Sequence, residues 1–226
     1  YNSHGSRHAA ALIEPAVLMR NGAPLEQLGY QEAYALDLMR HPYPMSETIY
    51  SAAGVFGMDP PPTFQNPQDP GGISFLHARR PSIVLGAAAL ALELPGQPAA
   101  FVAGRHLAYY RPGLYIRHLV PTGTGLRAWL FAAIKMVVPA FPITPELEGS
   151  VAENLAILER TITGGLRDQL TSHVTKLLQS GAIDLKKWVI GVELSADRAA
   201  VLLANALEVG REQVSASTEP RAAAQH

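Results

Sequence analysis

Apolar residues recur at two different periods along this chain, and the switch between them divides it. Over residues 9–41 the spacing is helical. Leu12, Pro15 and Leu18 mark a short first segment; Leu25, Leu28, Tyr34 and Leu38 mark a second, which His41–Pro42 brings to a stop. Another helix is predicted over 45–57, with Ser46 as its N-cap and Gly57 at its end. The period then shortens. The run MDPPPTFQNPQDPGGISFLHARRPSIVLG is rich in Pro and Gly, and PTFQN, GISFL and SIVLG read as short strands, with Asp69-Pro70-Gly71-Gly72 as a hairpin turn. After Gly86 the helical period returns, predicting helices over 86–93, 97–111, 124–138, 145–161, 163–179, 184–190 and 195–209. Thr163 and Asp184 are natural N-caps, Gly181 is a natural C-cap, and Pro139 and Pro142 end the helix that carries Trp129. Trp129 and Trp188 fall on apolar faces and are expected in the core. The pattern as a whole predicts an α+β protein, mainly α, with one small sheet.

Composition sharpens this picture. The chain has 226 residues, 48% of them hydrophobic, enough for a substantial core. Its net charge of -1 comes with no basic stripe for nucleic acid and no cationic amphipathic segment for a membrane surface. The apolar runs PSIVLGAAALALELPG and AWLFAAIKMVVPAF are broken by Pro, Gly or a charge before the ~18 residues a bilayer span requires, so no membrane insertion is expected. Cysteine is absent, which removes disulfides, thiolate nucleophiles and thiolate-ligated metals and fits a cytoplasmic location. The chain opens on Tyr1 and not Met, and reads as the ordered part of something longer. The expected organisation is a helical leader over 1–43, possible as the end of a helical repeat array, a body over 44–210, and a small, polar, disordered tail over 211–226.

Two stretches carry the candidate chemistry. AAFVAGRHLAYYRPG, residues 99–113, sets Arg105 and His106 in the middle of a helix that otherwise wants burial, and follows them with Tyr109, Tyr110 and Arg111. GVELSADRAAVLLANALEVG, residues 191–210, reads E-L-S-A-D-R-A-A from Glu193. That second stretch resembles the downstream ligand motif of the gluzincin metallopeptidases, the class of the HtpX heat-shock peptidases and the CAAX prenyl proteases. In that family a Glu supplies the third zinc ligand, and an Asp shortly after it orients a ligand histidine. The order of elements over residues 44–209 is similar to the family's as well, and implies a zincin-like helical domain with a small β sheet. The family's upstream motif is H-E-x-x-H on a helix, two histidines one turn apart with a Glu that activates the metal-bound water.

Laid over that motif, RHLAY departs at each chemical position. Arg105 stands where the first His would be, His106 where the Glu would be, and Tyr109 where the second His would be; no H-E-x-x-H occurs anywhere in the chain. A guanidinium has no lone pair to offer and stays protonated. The resemblance therefore implies a metal site that has been dismantled: no catalytic residue, no metal, no cofactor. Arg105 is expected to pair with Glu193 or Asp197 across two helices, offsetting carboxylates that zinc no longer neutralises. Ser195 as an N-cap would start the last helix at Ala196 and leave Glu193 just before it.

The function this implies is a catalytically inactive, metallopeptidase-like domain that binds or assembles with a protein or extended peptide. Two alternatives stand beside it. One is a metal-dependent hydrolase with a rebuilt site of His106, Glu193 and either His77 or His118. The other is a plain helical structural subunit with no tie to peptidases, in which Arg105 and Asp197 lie far apart. Other signals are thin. PTGTGLRAWL lacks the Gly-Lys-Ser/Thr of a P-loop, no nucleophile elbow occurs, and Arg79 and Arg80 read as a solvated basic turn. His4 and His8 have i,i+4 spacing; the other histidines are scattered.

Overall fold

The computed structural model describes residues 3–40, 43–91, 96–181 and 184–205; the predicted tail and the His41–Pro42 stop lie outside them. In chain order the elements are α1 (Ser3–Asn21), α2 (Pro44–Val55), β1 (Thr63–Asn66), β2 (Ile73–Leu76), β3 (Ser82–Gly86), α3 (Ala87–Ala91), α4 (Gly96–Ala108), α5 (Ile116–Leu119), α6 (Gly123–Val137), α7 (Pro145–Thr161), α8 (Gly165–Gln179) and α9 (Leu185–Ala204). The protein is mainly helical with one three-stranded mixed sheet. No helix among the described residues is long and apolar enough to cross a membrane.

Asp184 caps its helix as expected; Thr163 does not, since α8 starts at Gly165 behind Gly164 with no side-chain cap bond, and Thr122 is a cap the pattern did not mark. Thr122 caps α6 by accepting a hydrogen bond from the Gly125 N–H at 3.0 Å, and Asp184 accepts one from the Lys187 N–H at 3.0 Å. Other boundaries differ as well. Residues 25–40 form no α-helix: Leu25–Leu28 and Glu32–Tyr34 are single 3₁₀ turns, because Gly29 goes left-handed (φ 83°) and closes the first on itself. Ser46 is not an N-cap. The helix begins two residues earlier at Pro44, a residue preset for a first helical turn, and Ser46 is buried inside that turn. α4 stops at Ala108, not residue 111, and α5 is a turn that the apolar pattern did not predict. Ser195 does not start a helix; α9 runs unbroken from Leu185 through it to Ala204.

The predicted hairpin at Asp69–Gly72 is also corrected. The strand order is β1-β3-β2, with β1 parallel to β3 and β2 antiparallel to it, so β1 and β2 are not neighbours. The Asp69–Gly72 loop turns back instead over the end of β3. The N–H groups of Gly86, Ala87 and Ala88 donate to the carbonyls of Gly72 (2.8 Å), Asp69 (2.7 Å) and Gly71 (3.1 Å). These are donors that the first turn of α3 would otherwise leave orphaned.

The chain forms two compact units: residues 1–22 with 112–191, and residues 23–111 with 192–226. This partition differs from a leader followed by a body, because α1 packs on α5, α7 and α8 and so belongs with helices distant in sequence. That first unit is wholly helical, with α6 packed on α7 and α8. Its buried residues include Ile13 and Val17 of α1, Trp129 and Ile134 of α6, Leu158 of α7 and Leu170 of α8. Trp129 is in the core as expected, whereas Trp188 is only half-buried. Arg20 ties α1 to α7 by bonding the buried Asn154 side chain (2.6 Å) and the Glu153 carboxylate.

Glu14 does a similar job for the turn after Pro112. Its carboxyl accepts from the Gly113 N–H at 2.8 Å, with the Tyr115 and Ile116 N–H groups also aimed at it. Burial outweighs those donors and pushes the Glu14 carboxyl up to about 7. A raised carboxyl makes the folded state bind the proton more tightly than the unfolded chain does. The stability it contributes is therefore present in full below the ordinary value of 4.5 and is lost as pH rises through about 7. Urea unfolding midpoints are expected to fall between pH 5 and pH 8 in the native chain. In Glu14→Gln, which keeps an acceptor but cannot ionise, that part of the fall is expected to vanish; equal slopes in both proteins would contradict it.

In the second unit both faces of the sheet are covered, which is why all five residues of β3 are buried. Ile83 and Leu85 face a core with Met45, Ile49 and Ala52 of α2 and Ala99, Ala103 and Leu107 of α4. Val84, with Phe64 and Leu76, faces the other way and is covered by Leu25, Leu28 and Tyr30 from the 3₁₀ region. The alternation of a strand thus supplies two cores at once. A third cluster joins Phe101 of α4 to Ala200 and Ala204 of α9.

Candidate functional site

The site lies where α4 meets α9, in the second unit. Close approach comes from small residues. A Cβ placed on Gly104 would lie 2.8 Å from Leu203 Cδ2 and 3.3 Å from the Ala200 Cα, so a larger residue would make the Leu203 side chain turn aside and α9 give way by a few tenths of an ångström. Ala196, Ala200 and Ala204, fully or almost fully buried at one-turn intervals, form the facing stripe on α9.

That approach sets Arg105, next after Gly104, against Asp197. Arg105 Nε donates to Asp197 Oδ1 at 2.8 Å, with the two side chains 17% and 19% exposed. The predicted pairing across two helices is met, with Asp197 as the partner. Arg105 also sits in the last turn of α4, where the helix dipole favours a positive charge. Its guanidinium carbon stands 5.9 Å from the centre of the Tyr109 ring, a cation–π distance. Glu193 lies inside α9, one turn before Asp197, and is half-buried; with α9 continuous, its side chain shares Asp197's side of the helix.

His106 and Tyr109 are placed by aromatic packing. His106 is 9% exposed, and its imidazole stacks on Phe75 of β2 with centroids 3.9 Å apart and planes 14° apart. Tyr109, buried, meets the same Phe75 edge-on at 5.6 Å. Tyr109 stands just past the end of α4, one turn after Arg105 and within reach of its guanidinium. Tyr110 completes the group: its hydroxyl donates to the Ser82 carbonyl at 2.7 Å and lies 3.5 Å from His106 Nε2. His77 flanks Phe75 at 6.4 Å, and desolvation holds its imidazole below the usual range.

Arg105, Asp197 and Glu193 thus form the polar side of the site, and Phe75, His106, Tyr109 and Tyr110 its aromatic side. Phe75, Tyr110 and Gly104 were not singled out from the sequence as working parts. The signal for Gly104 was there, in a glycine before the arginine and alanines every fourth residue in the downstream helix. For Phe75 there was none, since only the sheet brings it to His106. Among the described residues, no three or more His, Cys, Asp and Glu side chains are grouped so as to hold a metal ion, so a set built on His106, Glu193 and His77 or His118 is not assembled. What the arrangement can do is fix two helices and a strand in register around a mostly covered ion pair and a packed aromatic group.

Compared with family models, curated proteins and solved structures, the chain matches none.

Proposed function

We propose that this chain is a non-catalytic, metallopeptidase-like protein that works by binding or assembling with a protein or extended peptide, its metal seat taken by an arginine. The observation that carries the reading is the Arg105–Asp197 ion pair between α4 and α9. Three features support it further. The guanidinium supplies a positive charge to the Asp197 carboxylate, without a lone pair or a bound water to activate. His106, in the place of the family's general base, has its ring packed on Phe75 and its Nε2 3.5 Å from the Tyr110 hydroxyl. Phe75 and Tyr110, half-buried beside it, are aromatic types enriched at recognition surfaces.

The experiment is to restore the family's donor set. The triple variant Arg105→His, His106→Glu, Tyr109→His is expected to bind one zinc per chain more than the native chain does, with Glu193 as third ligand. Elemental analysis after dialysis reads this, with circular dichroism to confirm folding. A folded triple variant with no more zinc than the native chain removes the metallopeptidase part of the reading. Zinc-dependent cleavage of an unstructured substrate by the native chain, abolished by Glu193→Gln, removes the non-catalytic part.

A further inference from the structure

Away from that site, in the helical unit, α1 and α8 meet through two imidazoles. The His8 and His173 rings have centroids 5.2 Å apart and planes 13° apart. His8 is exposed and His173 half-buried, so solutes can reach both. We propose that His8 and His173 form a two-point chelate for a divalent transition metal, zinc, nickel or copper, which would staple α1 to α8.

The separation is the first reason. With Zn–N bonds near 2.1 Å and about 1.1 Å from nitrogen to ring centre, two imidazoles on one tetrahedral metal have centres about 5 Å apart. The rings already stand at that spacing, and on binding they would turn about the soft χ2 torsion out of their near-parallel stack to bring one nitrogen of each onto the metal. The second reason is the rigidity of the platform. On α1 the neighbours Ala9 and Ala10 are buried, and on α8 Val174 next to His173 is fully buried, so the helices that present the rings are held by their own packing. The third is donor chemistry. Imidazole suits zinc, nickel and copper and not magnesium or calcium, which take oxygen ligands. Lys176, one turn beyond His173, is the cation that opposes the metal; it is exposed, and its long stem lets the ammonium swing into water. Water fills the remaining coordination positions, so affinity is modest.

The test uses the full chain stripped with chelator and titrated with zinc chloride by calorimetry. One zinc per chain is expected, with no magnesium heat, and His8→Ala and His173→Gln are each expected to weaken zinc at least tenfold. Saturating zinc should raise the melting temperature of the native chain and leave both variants where they were, since a metal that binds only the folded state stabilises it. Zinc binding unchanged in either folded variant overturns the chelate, as does a native chain that takes up no zinc at about 1 mM.

Discussion

Replacing Arg105 by alanine is expected to destabilise the protein by about 2–3 kcal/mol, a little below the loss from breaking a fully buried pair, because some solvent still screens this one. The guanidinium is 17% exposed and bonded to a carboxylate that is 19% exposed. Its removal leaves Asp197 charged, half-buried and without that donor, beside Glu193 on the same helix. Part of the loss, about 0.5–1 kcal/mol, belongs to the contact with the Tyr109 ring. The double variant Arg105→Met, Asp197→Leu separates the two causes. It removes both charges and keeps most of the volume, so it is expected to lie within about 1 kcal/mol of the native chain. Urea unfolding followed by circular dichroism measures all three proteins. If the double variant is as unstable as Arg105→Ala, the pair matters for its packing and not for its charge.

A larger loss, about 3–5 kcal/mol, is expected from Gly86→Ala. An alanine Cβ there would lie 2.3 Å from the Gly71 carbonyl oxygen and 2.9 Å from that of Asp69. Both are backbone atoms in a loop that caps the start of α3, so they cannot turn aside as a side chain would. Relieving the clash moves the loop and lengthens three hydrogen bonds, to the N–H groups of Gly86, Ala87 and Ala88. Gly54→Ala is the control. That glycine is exposed in α2 with nothing within 4 Å of an added Cβ, so the same chemical change should stabilise by up to about 0.5–1 kcal/mol. A pair of variants with opposite signs would show that the space around Gly86, and not glycine chemistry in general, sets the loss. A Gly86→Ala protein as stable as the native one would mean that the loop does not pack where it is described.

The strand stretches were legible because three short apolar, β-branched runs between Pro and Gly clusters leave little choice, and β1, β2 and β3 fall within them. Their pairing was not legible. Asp-Pro-Gly-Gly has the composition of a hairpin turn, yet β3 lies between β1 and β2, since that order lets one strand bury Ile83 and Leu85 on one side and Val84 on the other. In the same way Ser46 and Ser195 have capping chemistry without capping position. Pro44 starts the first helix earlier, and Val192, Ala196 and Ala200 form a continuous apolar stripe that carries α9 straight through the second serine. Local preference gave way to burial at each of these places.

For the candidate site, residue chemistry was readable and partnership was not. That Arg105 cannot ligate a metal, that no H-E-x-x-H exists, and that a cation in an apolar helix needs a carboxylate all follow from covalent structure and charge, which a sequence states in full. That the carboxylate is Asp197, that Phe75 holds His106, and that Gly104 is the point of closest approach depend on pairs of residues more than thirty positions apart, or more than ninety for the ion pair. Such contacts are chosen by the mutual fit of helices and sheet in a close-packed interior. Side-chain chemistry and local periodicity belong to the chain; neighbours across the core belong to the fold.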